Sequence, residues 1–142
     1  MAAAAKHCIL IVDDDPDLRR VFKIIFGKDY RVIEALNGAE ALSLLRTEAP
    51  RLMVLDLEMP GMDGLEVLKA VKAARPSLPV IMLTGKHDVE AARSALFLGA
   101  CQFITKPFGV ESLRSEIQRL LDATGEGAAK KDSSGRPWRI QS

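Results

Sequence analysis

Apolar and polar residues change places along this chain on a coarse rhythm. Five short apolar runs, residues 8–12, 30–35, 52–55, 79–83 and 102–105, are separated by longer stretches whose apolar residues recur every three or four positions. Such runs bounded by turn residues read as buried parallel strands. The intervening stretches read as amphipathic helices. The first helix follows the triplet Asp13-Asp14-Asp15; Asp15 suits the N-cap and Pro16 the first helical position, where its missing N–H costs nothing. Leu18, Val21, Phe22 and Ile25 are expected on its inner face, with Gly27 at its end. The second follows Asn37-Gly38 and carries Ala41, Leu44 and Leu45; the third carries Leu65, Leu68 and Val71 and stops before Pro76. The fourth starts at a cap, Asp88, and carries Val89, Ala92 and Leu96 before Gly99; the fifth presents Leu113, Ile117, Leu120 and Leu121. Strictly alternating strands and helices predict an α/β fold, a parallel sheet with right-handed crossovers and helices on both faces.

From residue 125 the pattern stops. Residues 125–142 are rich in Gly, Ser, Lys and Arg and read as a flexible tail or linker after a domain of residues 1–124. Trp138, the only tryptophan, falls in this tail, where it is either incidental or an anchor for docking; the incidental reading is preferred. The 142 residues, 48% of them hydrophobic, suffice for one domain with a real core. A net charge of +1 supplies no global field for nucleic acid or an acidic membrane surface. Cys8 and Cys101 lie in apolar strand segments without zinc-like spacing and read as buried free thiols in a reducing cytoplasm. The alanine-rich start lacks the parts of a signal peptide, and no apolar run approaches the length of a membrane span.

The chemistry gathers at the strand ends. The first strand ends in Asp13-Asp14, the third in Asp56, the fourth in Thr84 and the fifth in Lys106-Pro107. Open α/β sheets bind ligands beyond the carboxyl ends of their strands. Asp13 and Asp14 brought near Asp56 repel as like charges and raise one another's pKa. A divalent cation relieves that repulsion, and hard carboxylate oxygens suit Mg²⁺. Asp15 is read as a solvent-facing helix cap instead.

Four segments, ILIVDDDP, VLDLEMPGMDG, VIMLTG and FITKPF, occur in this order. In order and spacing they resemble the receiver domain of bacterial response regulators, over residues 6–123. The resemblance implies a flavodoxin-like doubly wound sheet of five strands in the order 2-1-3-4-5, with its switch point between strands one and three. It implies that Asp14 and Asp56 bind Mg²⁺ directly, that Asp13 acts mostly through water, and that the backbone carbonyl of Glu58 supplies a further ligand. Asp56 is then the phosphoacceptor, taking a phosphoryl group as an acyl phosphate, while the Lys106 ammonium neutralises charge opposite the metal. Gly85 leaves room for the donor, and a cis Lys106-Pro107 bond aims the ammonium inward. The implied switch moves the Thr84 hydroxyl toward the phosphoryl group and swings Phe103 into the vacated space. This remodels the surface of helix four, strand five and helix five. The implied donor is a sensor histidine kinase or histidine phosphotransfer protein, and the implied target a downstream protein or output domain. Direct nucleic-acid contact by this domain is not expected. The sequence after Phe108 lacks the charged pattern of the OmpR-like dimerising subgroup, so a monomer or weak phosphorylation-dependent dimer is expected.

Two positions depart from the commonest receiver pattern. Glu58 and Lys86 place opposite charges on the two rims of the site, where they pair across the entrance, guide a water, or are merely solvated. Gln102 stands where a small or acidic residue is common. His7 and His87 do not sit mid-helix as phosphorelay histidines do. An enzymatic alternative is a Mg²⁺-dependent phosphatase of the haloacid-dehalogenase type with Asp13 as nucleophile, since Asp13-x-Asp15 loosely matches its first motif. Against it stand the missing Thr after that motif, Pro16, and the lack of a cap domain or late acidic pair. A degenerate receiver, a constitutive binding module, is disfavoured by the full set of acids, Thr and Lys. Catalysis is expected only on the chain itself, as phosphorylation and autodephosphorylation of Asp56.

Overall fold

The computed structural model of the protein describes residues 6–59, 62–85, 89–106 and 108–125. In chain order the elements are β1 (Cys8–Val12), α1 (Pro16–Phe26), β2 (Arg31–Ala35), α2 (Gly38–Thr47), β3 (Leu52–Asp56), β4 (Glu58–Met59), β5 (Met62–Asp63), α3 (Gly64–Ala74), β6 (Val80–Thr84), α4 (Val89–Phe97), β7 (Gln102–Thr105) and α5 (Val110–Gly125). Five strands form one parallel sheet in the order β2-β1-β3-β6-β7. This is the expected 2-1-3-4-5 order, with the reversal between β1 and β3. The short antiparallel hairpin of β4 and β5 was not expected.

Period-two geometry sorts each strand's side chains onto two faces. Ile9 and Ile11 of β1, Leu52 and Val54 of β3, and Ile81 and Leu83 of β6 join a core with Phe22 and Phe26 of α1 and Leu113, Ile117, Leu120 and Leu121 of α5. Leu10, Val12, Met53, Leu55, Val80 and Met82 join a second core with Ala41 and Leu45 of α2, Val67, Leu68 and Val71 of α3, and Ala95 of α4. The three central strands are therefore apolar on both faces. Fully burying a side chain of this size contributes about 1.5–3 kcal/mol.

The helix starts follow their caps. Asp15 accepts the amides of Asp17 and Leu18, and Asn37 accepts that of Glu40. Asp63 accepts that of Leu65 and starts α3. Some expectations shift. β2 begins at Arg31 rather than at Tyr30, whose buried ring sends its hydroxyl to Gln118 Oε1 at 2.9 Å. Val21 and Leu96, expected inside, are exposed, while Phe26 and Ala95, not singled out by the spacing, are fully buried. Both cysteines are free thiols; Cys8 is buried in β1, but Cys101 is only half-buried and precedes β7. Burial raises both thiol pKa values. Among the described residues, no helix is long and apolar enough to cross a membrane. The expectations at Pro60, Gly61, Lys86, His87, Asp88, Pro107 and residues 126–142, Trp138 included, fall outside the described residues.

Candidate functional site

Register brings the first two acids together. β1 and β3 pair in parallel with Ile11 beside Val54 and Val12 beside Leu55. One step further along each strand stand Asp13 and Asp56, on adjacent strands and on the same face. Both carboxyl groups are buried, Asp13 at 0% and Asp56 at 1% exposure. Asp14 is exposed, yet one oxygen from each of Asp13, Asp14 and Asp56 lies within 4.8 Å of the others. Lys106, leaving β7, sets its ammonium between the two buried acids, 3.2 Å from Asp13 Oδ2 and 3.3 Å from Asp56 Oδ2. Its backbone amide donates to the Thr84 carbonyl at 2.6 Å, which ties it to the end of β6.

Most of the remaining bonds hold loops. Asp13 Oδ1 accepts the Asp15 amide at 3.0 Å, and Asp56 Oδ1 accepts the Glu58 amide at 3.1 Å. The Leu57 amide donates to the Leu83 carbonyl at 2.7 Å. Burial pushes the Asp56 carboxyl up to about 6; the Asp13 charge adds to the rise, while the Glu58 amide and Lys106 oppose it. Burial alone lowers the Lys106 pKa, but the two carboxylates outweigh it and the net shift is upward. One cation thus faces two buried acids and a third at the rim, an uncompensated excess of negative charge.

The hairpin of β4 and β5 delivers α3 against this loop. A Cβ on Gly64 would lie 2.6 Å from the Leu57 carbonyl oxygen and 2.7 Å from Leu57 Cα, so only glycine lets α3 approach the backbone next to Asp56. Thr84 is buried at the end of β6, and Phe103 is half-buried beside Met82 in the core shared with α2, α3 and α4. The Glu58 side chain is exposed on the rim, and its Oε1 lies 3.1 Å from where a Cβ on Gly85 would be. The room expected at Gly85 is therefore bordered by this carboxylate. Two residues in contact with the site were not singled out from the sequence. Gly64 was visible only as part of a turn motif. Arg19 donates to the Asp13 carbonyl oxygen at 2.7 Å, and nothing in its spacing marks that contact.

A doubly wound sheet with this acidic cluster and an inward lysine defines a phosphoacceptor domain of the two-component class. The family model described as the response regulator receiver domain matches residues 9–118. The chain belongs to the response regulator receiver family. It is 35% identical over 114 residues to sporulation initiation phosphotransferase F of Bacillus subtilis (strain 168), covering 80% of this chain and 92% of that protein. It is 37% identical over 114 residues to the DNA-binding transcriptional regulator NtrC of Escherichia coli (strain K12), covering 80% of this chain but 24% of that protein. Among solved structures, a CheY-like receiver domain protein from Methanospirillum hungatei JF-1 superposes with a TM-score of 0.82 at 32% identity, covering 86% of this chain and 98% of that one. NtrX from Brucella abortus gives 0.80 at 35% identity, covering 84% of this chain and 28% of that one. The dehalogenase-type alternative finds no support in these relationships.

Proposed function

We propose that Asp56 is the residue that accepts the phosphoryl group, and that Asp13, Asp14, Thr84, Lys106 and Phe103 serve that transfer and its readout. The observation that carries this reading is the placement of Lys106 between Asp13 and Asp56, beside a three-carboxylate cluster. The cluster fits Mg²⁺: hard oxygens, two of them buried, with more negative charge than Lys106 alone balances. Asp14, Asp56 and the Glu58 carbonyl are the residues to hold it, with Asp13 acting through water. When bound, Mg²⁺ supplies Lewis-acid neutralisation of phosphoryl oxygens.

The protein's own groups do the rest. The Glu58 amide and Lys106 hold the Asp56 carboxylate in place. One Asp56 oxygen attacks the phosphorus of an incoming phosphohistidine in line; the P–N bond breaks as the O–P bond forms, and the imidazole leaves. The Lys106 ammonium then faces the new charge. Thr84 and Phe103 lie on the two neighbouring strands β6 and β7. A hydroxyl drawn toward the phosphoryl group and a ring that follows it change the α4-β7-α5 surface through a population shift. The donor is a sensor histidine kinase or histidine phosphotransfer protein and the setting is the cytoplasm. The target is a downstream protein or output domain, engaged by the protein as a monomer or a weak phosphorylation-dependent dimer. Intact mass after incubation with acetyl phosphate and Mg²⁺ tests the reading. A labile phosphoryl adduct on the wild type, absent with EDTA and absent in Asp56→Asn, supports it. An adduct that survives Asp56→Asn but is lost in Asp13→Asn overturns it.

A further inference from the structure

We infer that Arg19 of α1 is a positioning residue for the metal site, acting through the backbone carbonyl of Asp13. The inference rests on the proposed Mg²⁺ site. Every other polar group of Asp13 is held by the strand ends or by its own loop. Its amide continues the β1–β2 ladder to the Ala35 carbonyl at 3.1 Å, Oδ1 accepts from Asp15, and Oδ2 faces Lys106. Its carbonyl belongs to the peptide that leads into Asp14, and that oxygen accepts from Arg19 Nη1 at 2.7 Å. The Asp14 carboxylate is exposed, and among the described residues it has no hydrogen-bond partner of its own. The point from which that side chain projects is set by its backbone, and Arg19 bonds the carbonyl of the peptide that leads into it. Arg19 is itself anchored: its Nε donates to Glu34 Oε1 of β2 at 3.2 Å, and its side chain is only 16% exposed. The planar guanidinium fork makes both contacts at once, which a single ammonium at the end of a flexible stem does not reproduce.

Charge and geometry predict opposite signs here. As a mere positive charge near the acids, Arg19 would repel Mg²⁺, and its loss would tighten binding. As a positioning residue its loss weakens binding, as loss of a partner outside the coordination shell typically does, by about ten-fold or more. The test is isothermal titration of Mg²⁺ into the metal-free full chain at pH 7.5. The variants are Arg19→Met, which keeps the aliphatic stem, Arg19→Lys, and Glu34→Gln, which keeps an acceptor for Nε without its charge. Melting in EDTA runs in parallel, so that lost folding is not read as lost affinity. The expected result is a Kd raised about ten-fold in Arg19→Met, an intermediate value in Arg19→Lys, and a near wild-type value in Glu34→Gln. An unchanged or tighter Kd in a folded Arg19→Met overturns the inference and leaves the metal site standing. If Arg19→Met does not fold, a wild-type Kd in Arg19→Lys overturns it and a raised one supports it. Failure of the wild type to bind Mg²⁺ overturns the metal site and the inference with it.

Discussion

Replacing Asp56 with Asn should stabilise the metal-free protein, although it removes a carboxylate from the centre of the site. Burial raises the Asp56 pKa from 3.8 to about 6. In the window between those values the folded state binds a proton that the unfolded state releases, so stability falls as pH rises through it. Above about pH 6 the folded protein carries a buried carboxylate and that stability is gone. At about 1.4 kcal/mol per pH unit of separation, the rise from 3.8 to about 6 amounts to roughly 3 kcal/mol. Asparagine is nearly the shape of the protonated acid, can still accept from the Glu58 amide, and leaves Lys106 paired with Asp13. Urea unfolding in EDTA at several pH values measures the difference. Asp56→Asn should be more stable by roughly 3 kcal/mol at pH 7.5, with the gap closing toward pH 4. Adding Mg²⁺ should narrow the gap at pH 7.5, because a ligand that binds only the folded state contributes about 2.7 kcal/mol at one hundred times its Kd. A variant less stable than the wild type at pH 7.5, or a gap that does not change with pH, would refute the reasoning.

Three further outcomes are expected. Lys106→Met removes the cation facing two buried carboxylates, so Mg²⁺ should bind more tightly by titration while adduct formation from acetyl phosphate slows by roughly a hundred-fold. Gly64→Ala puts a methyl group against Leu57 backbone that cannot yield cheaply, and should cost about 1–3 kcal/mol in urea unfolding and raise the Mg²⁺ Kd. Phe26→Ala empties a fully buried site whose ring meets Phe22 in a tilted contact at 4.6 Å and lies under the Arg114 guanidinium at 5.1 Å. It should cost about 3–5 kcal/mol with the Mg²⁺ Kd unchanged, and a large change in Kd would show that α1 packing, not only Arg19, governs the site.

Strand positions were legible because the three central strands are apolar on both faces, so each shows as a solid run such as ILIV or VIML. The acids were legible because they stand at the carboxyl ends of those runs, and the β1–β3 register then carries Asp13 and Asp56 to the same level. Helix phase was less so. On α1 both Val21 and Phe26 are apolar, and it is the packing of Phe22 and Phe26 into the core between α1, α5 and the sheet that leaves Val21 exposed. The β4–β5 hairpin involves two residues a side, too short for any alternation to show. Arg19 escaped for a different reason. Its partner is a backbone carbonyl, and a carbonyl leaves no residue-type signature at the accepting position. The same holds for Gly64, whose requirement comes from the backbone of Leu57, earlier in the same loop, rather than from its own φ angle.

The most direct test is to locate the acyl phosphate. Borohydride reduces a phosphorylated aspartate to homoserine, and peptide mass spectrometry of the reduced protein identifies the position. With acetyl phosphate and Mg²⁺, conversion is expected at residue 56 alone, dependent on Lys106 and absent when EDTA replaces Mg²⁺. Conversion at Asp13 or Asp14 with Asp56 intact would contradict the assignment of Asp56 as the phosphoacceptor.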